Sequence, residues 1–555
     1  MRIGAVLLLT TLGSSLHAGE LEPLAADFWT WRAMTQPVTG DDIPRLERPA
    51  GFVPDWSAKA VADRRRMLAG FEKRWRGLQS ASWPVAEQVD YRLIGSALAR
   101  VRWELEIERG WQRNPLFYFD QTVGAVFDRL LQPPPFPEPR CDEIIRRMES
   151  IPATLDAARA NLTEIRRPFA ILAIESLNDI RLHMNTAVQA LKPLLSGKAQ
   201  AQMDAAGSRA VSALETYQSW LKDRLPTLRP DTAVGRDAYL FFLRNVALLP
   251  FTPEQLLENG RAELERSVSF ETYEAARNRT LPQLALFSSQ AAQMEREQQD
   301  ESAVRRFLAD RGILTVPQWV RHYRNLPLPR YLQAIEAGVT DDLTGPSRLQ
   351  EDGTSYIGVP SPDLGYFALS TARDPRPILV HEGVPGHYLQ LALSWANPDR
   401  IRRYYYDSGA NEGIGFYAEE MMLQAGFFDD SPRAREIIYN FMRLRALRVE
   451  VDVKLALGEF TLEQAAKYLE QNVPMDPRTA LGEAAMFAST PGQAISYQTG
   501  KSQILRFLAR ARRQKQDGFQ LQAFHDFVWS NGNVPIALQQ WQYLGDSSDV
   551  PALPR

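Results

Sequence analysis

The chain has 555 residues, of which 45% are hydrophobic and 24% charged, close to an ordinary globular protein. Its 64 Lys and Arg residues face 67 Asp and Glu residues, so the formal net charge is −3 at pH 7. Because no basic excess is available to neutralise phosphates, the composition argues against a nucleic-acid-binding protein. The single cysteine, Cys141, permits no internal disulfide bond and is interpreted as a structural residue at the start of a helix.

The first eighteen residues have the pattern of a secretory signal peptide. Arg2 supplies a positive charge, the run from Ile3 to Leu12 is largely apolar, and Leu16-His17-Ala18 offers a cleavage site. The run is too short to span a membrane, and no later stretch approaches 18 uninterrupted apolar residues. We therefore expect residues 1–18 to be removed and the protein to be exported, periplasmic or secreted, without a transmembrane segment.

Helices are predicted through most of the mature chain, because apolar residues recur at three- and four-residue spacing. The predicted helices cover residues 57–80, 85–111, 141–166, 169–195, 200–222, 284–311 and 316–324. Thr252 followed by Pro253 favours the start of another helix, since Thr caps the first turn and Pro needs no N–H there. The proline-rich run 131–139 is predicted to be a non-helical surface connection.

Between about 340 and 377 the helical pattern breaks at a series of glycines and prolines. Short runs at Ser355–Val359 and Tyr366–Leu369 are predicted to be strands. An edge strand at Tyr366–Ser370 would hold a substrate backbone by strand addition. The alternative is a loop that only delivers the chain to the next segment.

The strongest functional signal is the sequence His-Glu-Gly-Val-Pro-Gly-His at residues 381–387. Imidazole and carboxylate groups bind divalent metals, and zinc is the usual occupant of such sites. The chain has only six histidines, so two of them beside Glu382 favour a metal site over two surface histidines in a loop. We interpret His381 and His387 as ligands of one Zn²⁺ per chain and Glu382 as the general base toward an attacking water, which predicts a zinc hydrolase.

The spacing of the two histidines does not fit a regular helix, on which six residues correspond to about 240° of rotation. Pro385 has no N–H and would collide with the carbonyl four residues back, that of His381. Gly386 can accept the backbone angles that an interruption requires. We therefore predict that the helix loosens or bulges between the histidines, with Val384 and Pro385 as an insertion in a metal-binding helix.

A catalytic zinc ion usually takes three protein ligands, and the best third ligand lies in a predicted helix over residues 411–420. Glu412 and Glu419 share a face of that helix but lie about 10 Å apart along its axis, so both cannot bind one ion. We assign Glu412 as the ligand, because the glycines that follow it leave room for close helix approach. Glu419 is a candidate to orient a ligand histidine, with a solvated helix edge as its alternative, and Glu420 is expected at that solvated edge.

Three further polar residues are candidates for substrate contact. Arg445 and Arg448 are three residues apart on a predicted helix and can share a face. One of them could clamp a substrate carboxylate, although salt bridges to nearby acids such as Glu450 and Asp452 are the favoured explanation. His525, near the end of the chain, either binds substrate or caps a helix.

Three blocks of the sequence resemble the bacterial family called domain of unknown function 885, a zincin-like group related to the gluzincin metallopeptidases. The blocks are residues 381–387, 412–419 and 491–500, the last of which is Pro-Gly-Gln-Ala-Ile-Ser-Tyr-Gln-Thr-Gly. Weaker similarity extends from Phe28 to Asp526 and so covers nearly the whole mature chain.

The resemblance implies an all-helical, gluzincin-like fold, as in the carboxypeptidase Taq and angiotensin-converting-enzyme groups, with zinc on the floor of a deep central channel. Residues 19–555 would then form one zincin-like catalytic unit, with a helical half over about 19–330 and a metal-site half over about 331–555. It also implies hydrolysis of short peptides by a carboxypeptidase, dipeptidase or oligopeptidase, in which Tyr497 donates a hydrogen bond to the oxyanion. From the residues alone, Tyr497 is equally well a core residue in a glycine-flanked turn.

Two other functions stay open at the level of sequence. One is a zinc amidohydrolase that acts on a non-peptide amide, and the other is a binding protein that has lost catalysis. Glu382 argues against the second, because a set of ligands alone has no use for a base. Family members usually carry an aromatic residue where Ile414 stands and often a polar residue where Ala456 and Met486 stand, and these departures concern substrate contacts more than metal binding.

Overall fold

The computed structural model describes residues 18–39, 47–333, 339–341 and 345–553. Helix accounts for 70% of the structure and strand for 2%, which confirms the prediction of a mainly α protein. Apart from Ala18, the predicted signal peptide lies outside the described residues. Within the residues described, no helix is both long enough and apolar enough to cross a membrane.

The described residues form 25 α-helices. The first thirteen are α1 Ala18–Thr35, α2 Ala58–Gly77, α3 Val85–Arg102, α4 Gly110–Arg113, α5 Pro115–Phe119, α6 Ala125–Phe127, α7 Glu138–Asn161, α8 Arg167–Ser176, α9 Ile180–Leu191, α10 Gly197–Arg224, α11 Arg236–Phe241, α12 Pro253–Arg277 and α13 Gln290–Asp310. They are followed by α14 Arg330–Gln333, α15 Tyr366–Thr371, α16 Arg376–Ile378, α17 His387–Trp395, α18 Arg400–Tyr404, α19 Ser408–Ala425, α20 Pro432–Leu457, α21 Leu462–Asn472, α22 Pro477–Ser489, α23 Ala494–Lys515, α24 Leu521–Ser530 and α25 Ile536–Leu544. Turns of π-helix lie at Trp103–Ile107, Asp120–Gly124, Phe242–Val246 and Leu379–Gly383, and 3₁₀ turns at Ser80–Ser82, Lys192–Leu194, Leu225–Thr227, Pro346–Arg348 and Gln516–Gly518.

Local sequence accounts for several helix boundaries. Thr252 caps α12 as predicted, since its hydroxyl accepts from Gln255 N while the Gln255 side chain accepts from Thr252 N. The predicted helix over 169–195 is instead divided into α8 and α9 at Asp179, which has a positive φ of 53°. The single cysteine is buried near the start of α7, as predicted. Residues 131–137 are not helical, as predicted, whereas Glu138 and Pro139 already form the first turn of α7.

A three-stranded sheet precedes the motif segment and corresponds to the predicted small β element. It consists of β1 Tyr323–Pro327, β2 Val339–Asp341 and β3 Gly353–Ile357 in the order β1-β3-β2. β3 pairs parallel to β1 and antiparallel to β2. The predicted helix over 316–324 is wrong: Val320 N donates to Pro317 O at 3.0 Å to close a turn, and β1 follows it.

The predicted strand at Tyr366–Leu369 is also wrong, because α15 occupies this position. Tyr366 N, at the start of α15, donates to Asp476 Oδ2 at 3.0 Å, although Asp476 is 110 residues further along the chain. A distant carboxylate thus satisfies an N–H that would otherwise lack a partner at the helix start. The hypothesis that Tyr366–Ser370 binds substrate by strand addition is therefore overturned, since a helix offers no strand edge.

The motif segment lies within the second-largest apolar cluster of the described residues. The largest apolar cluster joins residues of α1 to α10 with Val534 and Leu538 near the C-terminus. A second cluster surrounds Val380 and Val384 and includes Trp529 of α24. α12 packs along α20, so the segments before and after residue 330 share a packing surface. Within the later segment, α19 packs along α23.

Candidate metal centre

The helix that carries His381 is interrupted before it reaches His387. Residues 379–383 form a π-helical turn, Val384 is extended, and α17 starts at His387. The Val384–Pro385 peptide bond is cis. The predicted departure from a regular helix is thus present, and it brings the centroids of the two imidazole rings to 4.6 Å from each other, with the rings at 78°.

Contacts around the interruption explain its composition. A Cβ atom on Gly386 would lie 1.7 Å from the carbonyl oxygen of His381, so the close return of the chain excludes any larger residue. The Pro385 carbonyl accepts a hydrogen bond of 2.6 Å from Trp529 Nε1, in the buried interior of α24. This tryptophan was not identified from the sequence, where it is one aromatic residue among many.

Glu412 lies opposite the two imidazoles. Its Oε2 atom is 3.2 Å from His387 Nε2 and 3.5 Å from His381 Nε2, and it is buried without a hydrogen-bond partner among the described residues. The two histidines and Glu382 also offer nitrogen and oxygen atoms that all lie within 4.8 Å of one another. The structure therefore brings together all four residues that the sequence assigned to the metal and its base.

Electrostatics at this cluster favour a positive charge between the donors. Burial alone would raise the pKa of Glu412, but the two neighbouring imidazoles hold it well below its ordinary value. Burial and Arg445 both act to lower the pKa of His381, yet the carboxylates of Glu412 and Glu419 raise it to about 9.

Close approach of helix α19 depends on its glycines. A Cβ atom on Gly415 would lie 2.8 Å from His387 Cε1 and 3.0 Å from His381 Cε1. A Cβ atom on Gly413 would lie 2.6 Å from the Cα atom of Gly500 on α23. The glycines beside Glu412 therefore leave room for the imidazoles on one side and for a neighbouring helix on the other.

Glu419 lies on the far side of the His381 ring. Its Oε1 atom is 2.7 Å from His381 Nδ1 and 2.8 Å from Arg445 Nη2, and the residue is fully buried. A carboxylate beside Nδ1 favours a hydrogen on that nitrogen, so in the neutral imidazole, the form that binds a metal, the Nε2 lone pair faces Glu412. Arg445 is thus paired with a buried acid, although with neither of the two acids that are close to it in sequence.

Tyr497 and Arg448 form one wall of the cluster. The Tyr497 ring is nearly parallel to the His381 ring, at a centroid distance of 6.2 Å and an angle of 15°. The Arg448 guanidinium lies 4.6 Å from the centroid of the Tyr497 ring and donates two hydrogen bonds of 2.7 Å to Glu483. Arg448 therefore has a fixed carboxylate partner, which sequence reasoning did not identify because Glu483 is 35 residues away.

His525 lies within α24 and does not cap it. Its ring nitrogens contact the Tyr417 hydroxyl and the Ile313 carbonyl oxygen, each at 2.8 Å. Burial lowers the pKa of His525 to about 4. The structure does not bring His525 into contact with the two motif histidines; it packs against Trp529 at a centroid distance of 5.7 Å.

The expectation that Glu420 lies at a solvated helix edge is wrong. The residue is buried, and its carboxylate accepts from Lys501 Nζ and Arg266 Nη2, each at 2.9 Å. Lys501 is itself completely buried and also donates to Glu263 at 2.6 Å. Sequence reasoning missed this network, because Lys501 lies 81 residues from Glu420 and 238 residues from Glu263.

Comparison with known proteins identifies a family and a shared fold. The family described as "Bacterial protein of unknown function (DUF885)" matches residues 44–540. A protein of unknown function from Shewanella oneidensis is 19% identical, with 96% of this chain and 100% of that chain covered at a TM-score of 0.70. A protein from Colwellia psychrerythraea is 17% identical, with 95% and 98% covered at a TM-score of 0.76. Both solved structures carry the provisional description of a lipoprotein, and no curated protein matches significantly.

Proposed function

We propose that this chain, which belongs to the bacterial DUF885 family, is a zinc-dependent hydrolase that cleaves short peptides. The description of the family leaves its activity open. The proposal concerns the centre formed by His381, His387 and Glu412, with Glu382 as the general base. One zinc ion per chain is the proposed cofactor.

The observation that carries the proposal is the convergence of three buried donors. Two imidazole Nε2 atoms lie 3.2 and 3.5 Å from the same oxygen of Glu412, and that oxygen has no hydrogen-bond partner among the described residues. Lone pairs that face one another at these distances repel unless a positive charge lies between them, and a divalent cation satisfies all three at once. Two histidines and one glutamate are also the ligand set of a well-known class of catalytic zinc sites.

The roles of the protein's own groups follow from this arrangement. When bound, zinc supplies a Lewis acid that lowers the pKa of water and polarises a carbonyl group. Glu382, beside His381, accepts the proton of the attacking water and returns it to the leaving amine. Tyr497 donates its hydroxyl proton in a hydrogen bond to the oxygen that gains charge as the peptide carbonyl becomes tetrahedral.

The proposal extends to the fold relationship and to location. A gluzincin-like arrangement with a deep channel is supported by the predominance of long helices and by the placement of the donors on neighbouring helical segments. Export to the periplasm or beyond the cell is supported by the signal-peptide pattern of residues 1–18.

Elemental mass spectrometry of the purified mature protein tests the centre directly. We expect about one zinc per chain, as for a single catalytic site, and its loss in His387→Ala. Glu382→Gln should keep the zinc but lose turnover of short peptides by about 10²–10⁴-fold, because it removes the base and spares the ligands.

His183→Ala is the matched control, since His183 is exposed on α9 and should retain both zinc and turnover. Wild-type protein that binds no zinc after reconstitution would refute the metal centre. Zinc binding with undiminished turnover in Glu382→Gln would refute the role of the base.

A further inference from the structure

A cavity of about 130 Å³ is lined in part by residues that precede Glu412 and Tyr497 by one helical turn. Ser408 at the start of α19 and Gln493 just before α23 both line it, and the Ser408 hydroxyl donates to Gln493 Oε1 at 2.7 Å. Glu412 and Tyr497 each follow one of these residues by four positions, on the same helix face. These two lining residues therefore precede the catalytic residues by one helical turn, about 6 Å of helix rise, along both segments.

Aromatic rings from three parts of the chain form much of the cavity wall. Trp56 packs edge-on against Phe117 at a centroid distance of 4.6 Å, and Trp103 packs against Phe242 at 5.2 Å. Faces of such rings carry partial negative charge and attract organic cations. These walls suit an alkyl stem with a positively charged end.

Carboxylates outnumber cations in the lining. Among the described residues, Glu104, Glu108 and Asp120 line the cavity together with one cation, Arg100. The Glu104 carboxylate is held by Arg32, which donates to it at 2.8 Å. Acids thus outnumber the cation among the described lining residues, and this composition favours a positively charged ligand.

Among the carboxylates that line the cavity, Glu108 would be stabilised most by a positively charged ligand. Its Oε2 atom accepts from Gly110 N at 2.5 Å, and no ion pair of its side chain occurs within the described part of the chain. Burial raises the pKa of Glu108 to about 7 in spite of Arg113. A cation in the cavity would stabilise the ionised carboxylate and would be bound more tightly in return.

We propose that this aromatic and acidic cavity is a specificity subsite that binds the ammonium or guanidinium group of a peptide substrate. The proposal rests on the proposed peptidase function and narrows it to peptides with a positive charge near the cleaved bond. The volume supports one such group and no more, since a cavity of about 150 Å³ holds a molecule the size of benzene.

Two parts of a peptide carry this chemistry, the free N-terminus and a Lys or Arg side chain. Three matched peptides separate them: one with lysine, one with norleucine in its place, and one with lysine and an acetylated N-terminus. We expect kcat/KM to fall about tenfold or more for whichever change removes the bound charge, since one charge-assisted hydrogen bond supplies at least this much. The peptide that loses activity identifies the source.

Substitutions of residues that line the cavity test whether the cavity causes this preference for charged peptides. Glu108→Gln and, separately, Asp120→Asn should bring the ratio of kcat/KM for charged and neutral peptides close to one. Glu106→Gln is the matched control and should keep the wild-type ratio, because Glu106 is exposed and pairs with Arg102 at 3.0 Å outside the cavity. Two independent variants guard against the failure of one to fold, which thermal melting would reveal.

The outcomes distinguish this proposal from the function on which it rests. If the protein hydrolyses the charged and neutral peptides equally well, or if both variants keep the wild-type preference, the subsite proposal is overturned. The peptidase proposal stays intact in either case. If no peptide is cleaved, calorimetric titration of the same peptides decides: binding that requires both the charge and Glu108 supports the subsite while the peptidase proposal fails. Absence of both hydrolysis and charge-dependent binding overturns the subsite as well.

Discussion

Glu419 and Glu420 are consecutive residues on α19, and both are buried, yet their carboxylates face different partners. Glu419 contacts His381 and Arg445, whereas Glu420 contacts Lys501 and Arg266. Successive residues of an α-helix differ by about 100° in direction, which is enough to place one acid behind a ligand histidine and the other in a separate ion-pair network. The two acids therefore offer a matched comparison.

Glu419→Gln should weaken zinc binding by about 10–100-fold, as the loss of a carboxylate that orients a ligand histidine does in other zinc sites. The removed charge is the one 2.7 Å from His381 Nδ1. Competition with a chromophoric chelator measures the affinity.

Glu420→Gln is the control for this substitution. It leaves the buried Lys501 with a weakened network, so we expect a lower melting temperature but a zinc affinity within about twofold of the wild type, because no ligand histidine is touched. Equal losses of zinc affinity in both variants would mean that burial of charge on α19, rather than contact with His381, matters to the centre.

At the scale of single residues, the sequence predicted the members of the proposed metal centre better than it predicted the residues that surround them. The histidines, Glu382 and Glu412 could be grouped because their chemistry is local and their spacing is short. Trp529 could not be found, because its hydrogen bond to Pro385 spans 144 residues and tryptophan has many structural uses. Contacts of this kind depend on the tertiary fold.

At the scale of elements, the contact between α19 and α23 positions Glu412 relative to Tyr497. The helices meet at Gly413 and Gly500, where a Cβ atom on Gly500 would lie 2.0 Å from the carbonyl oxygen of Gly409. This atom belongs to the backbone, so it cannot move aside as a flexible side chain would. Separation of the helices is the only relief for a larger residue.

Gly500→Ala should therefore lower the free energy of unfolding by about 1–3 kcal/mol, the usual cost of overpacking, and should weaken zinc binding as α19 shifts. Chemical denaturation and the chelator assay measure the two effects. Gly482→Ala on α22 is the control, since nothing lies within 4 Å of its Cβ position. For Gly482→Ala we expect the free energy of unfolding to rise by up to about 1 kcal/mol, because alanine has the higher helix propensity. If both substitutions destabilise the protein equally, the contact between α19 and α23 is not the cause.

The long helices between residues 57 and 311 were predictable from the sequence, but several short elements were not. The interruption at Pro385 was predicted because proline acts on its own backbone. The segment at Tyr366 was assigned to a strand, since its apolar residues fit either period and its helix start depends on the distant Asp476. The sheet that does form pairs residues about 30 positions apart in β1 and β3, a register that local periodicity does not contain.

At the scale of the molecule, the apolar core joins both ends of the chain. Residues of α1 to α10 share a cluster with Leu538, and Arg402 donates to Asp90 at 2.9 Å in a buried pair that spans 312 residues. The predicted single unit over 19–555 stays a prediction, and these contacts are the basis for testing it. Neither half can be removed without exposing apolar surface of the other.

Chelation of zinc should lower the midpoint of one thermal transition without creating a second. Ligand at 100 times its dissociation constant stabilises a protein by about 2.7 kcal/mol, and in a cooperative unit all elements share that gain. Differential scanning calorimetry at one scan rate, with zinc or with chelator, measures the shift. A second transition that ignores zinc would instead assign the N-terminal half to a separately folding domain.

The hydrogen bond from Trp529 to Pro385 also bears on when the centre forms. Synthesis proceeds at about 5–20 residues per second, so the 144 residues between them emerge over roughly 7–30 s. During that interval the turn between the histidines lacks its donor from α24, and Glu412 lacks the surface of α23. Under the proposed export, a chain translocated while unfolded reaches its compartment with no assembled ligands, and the metal that it acquires is decided by the ions present where it folds.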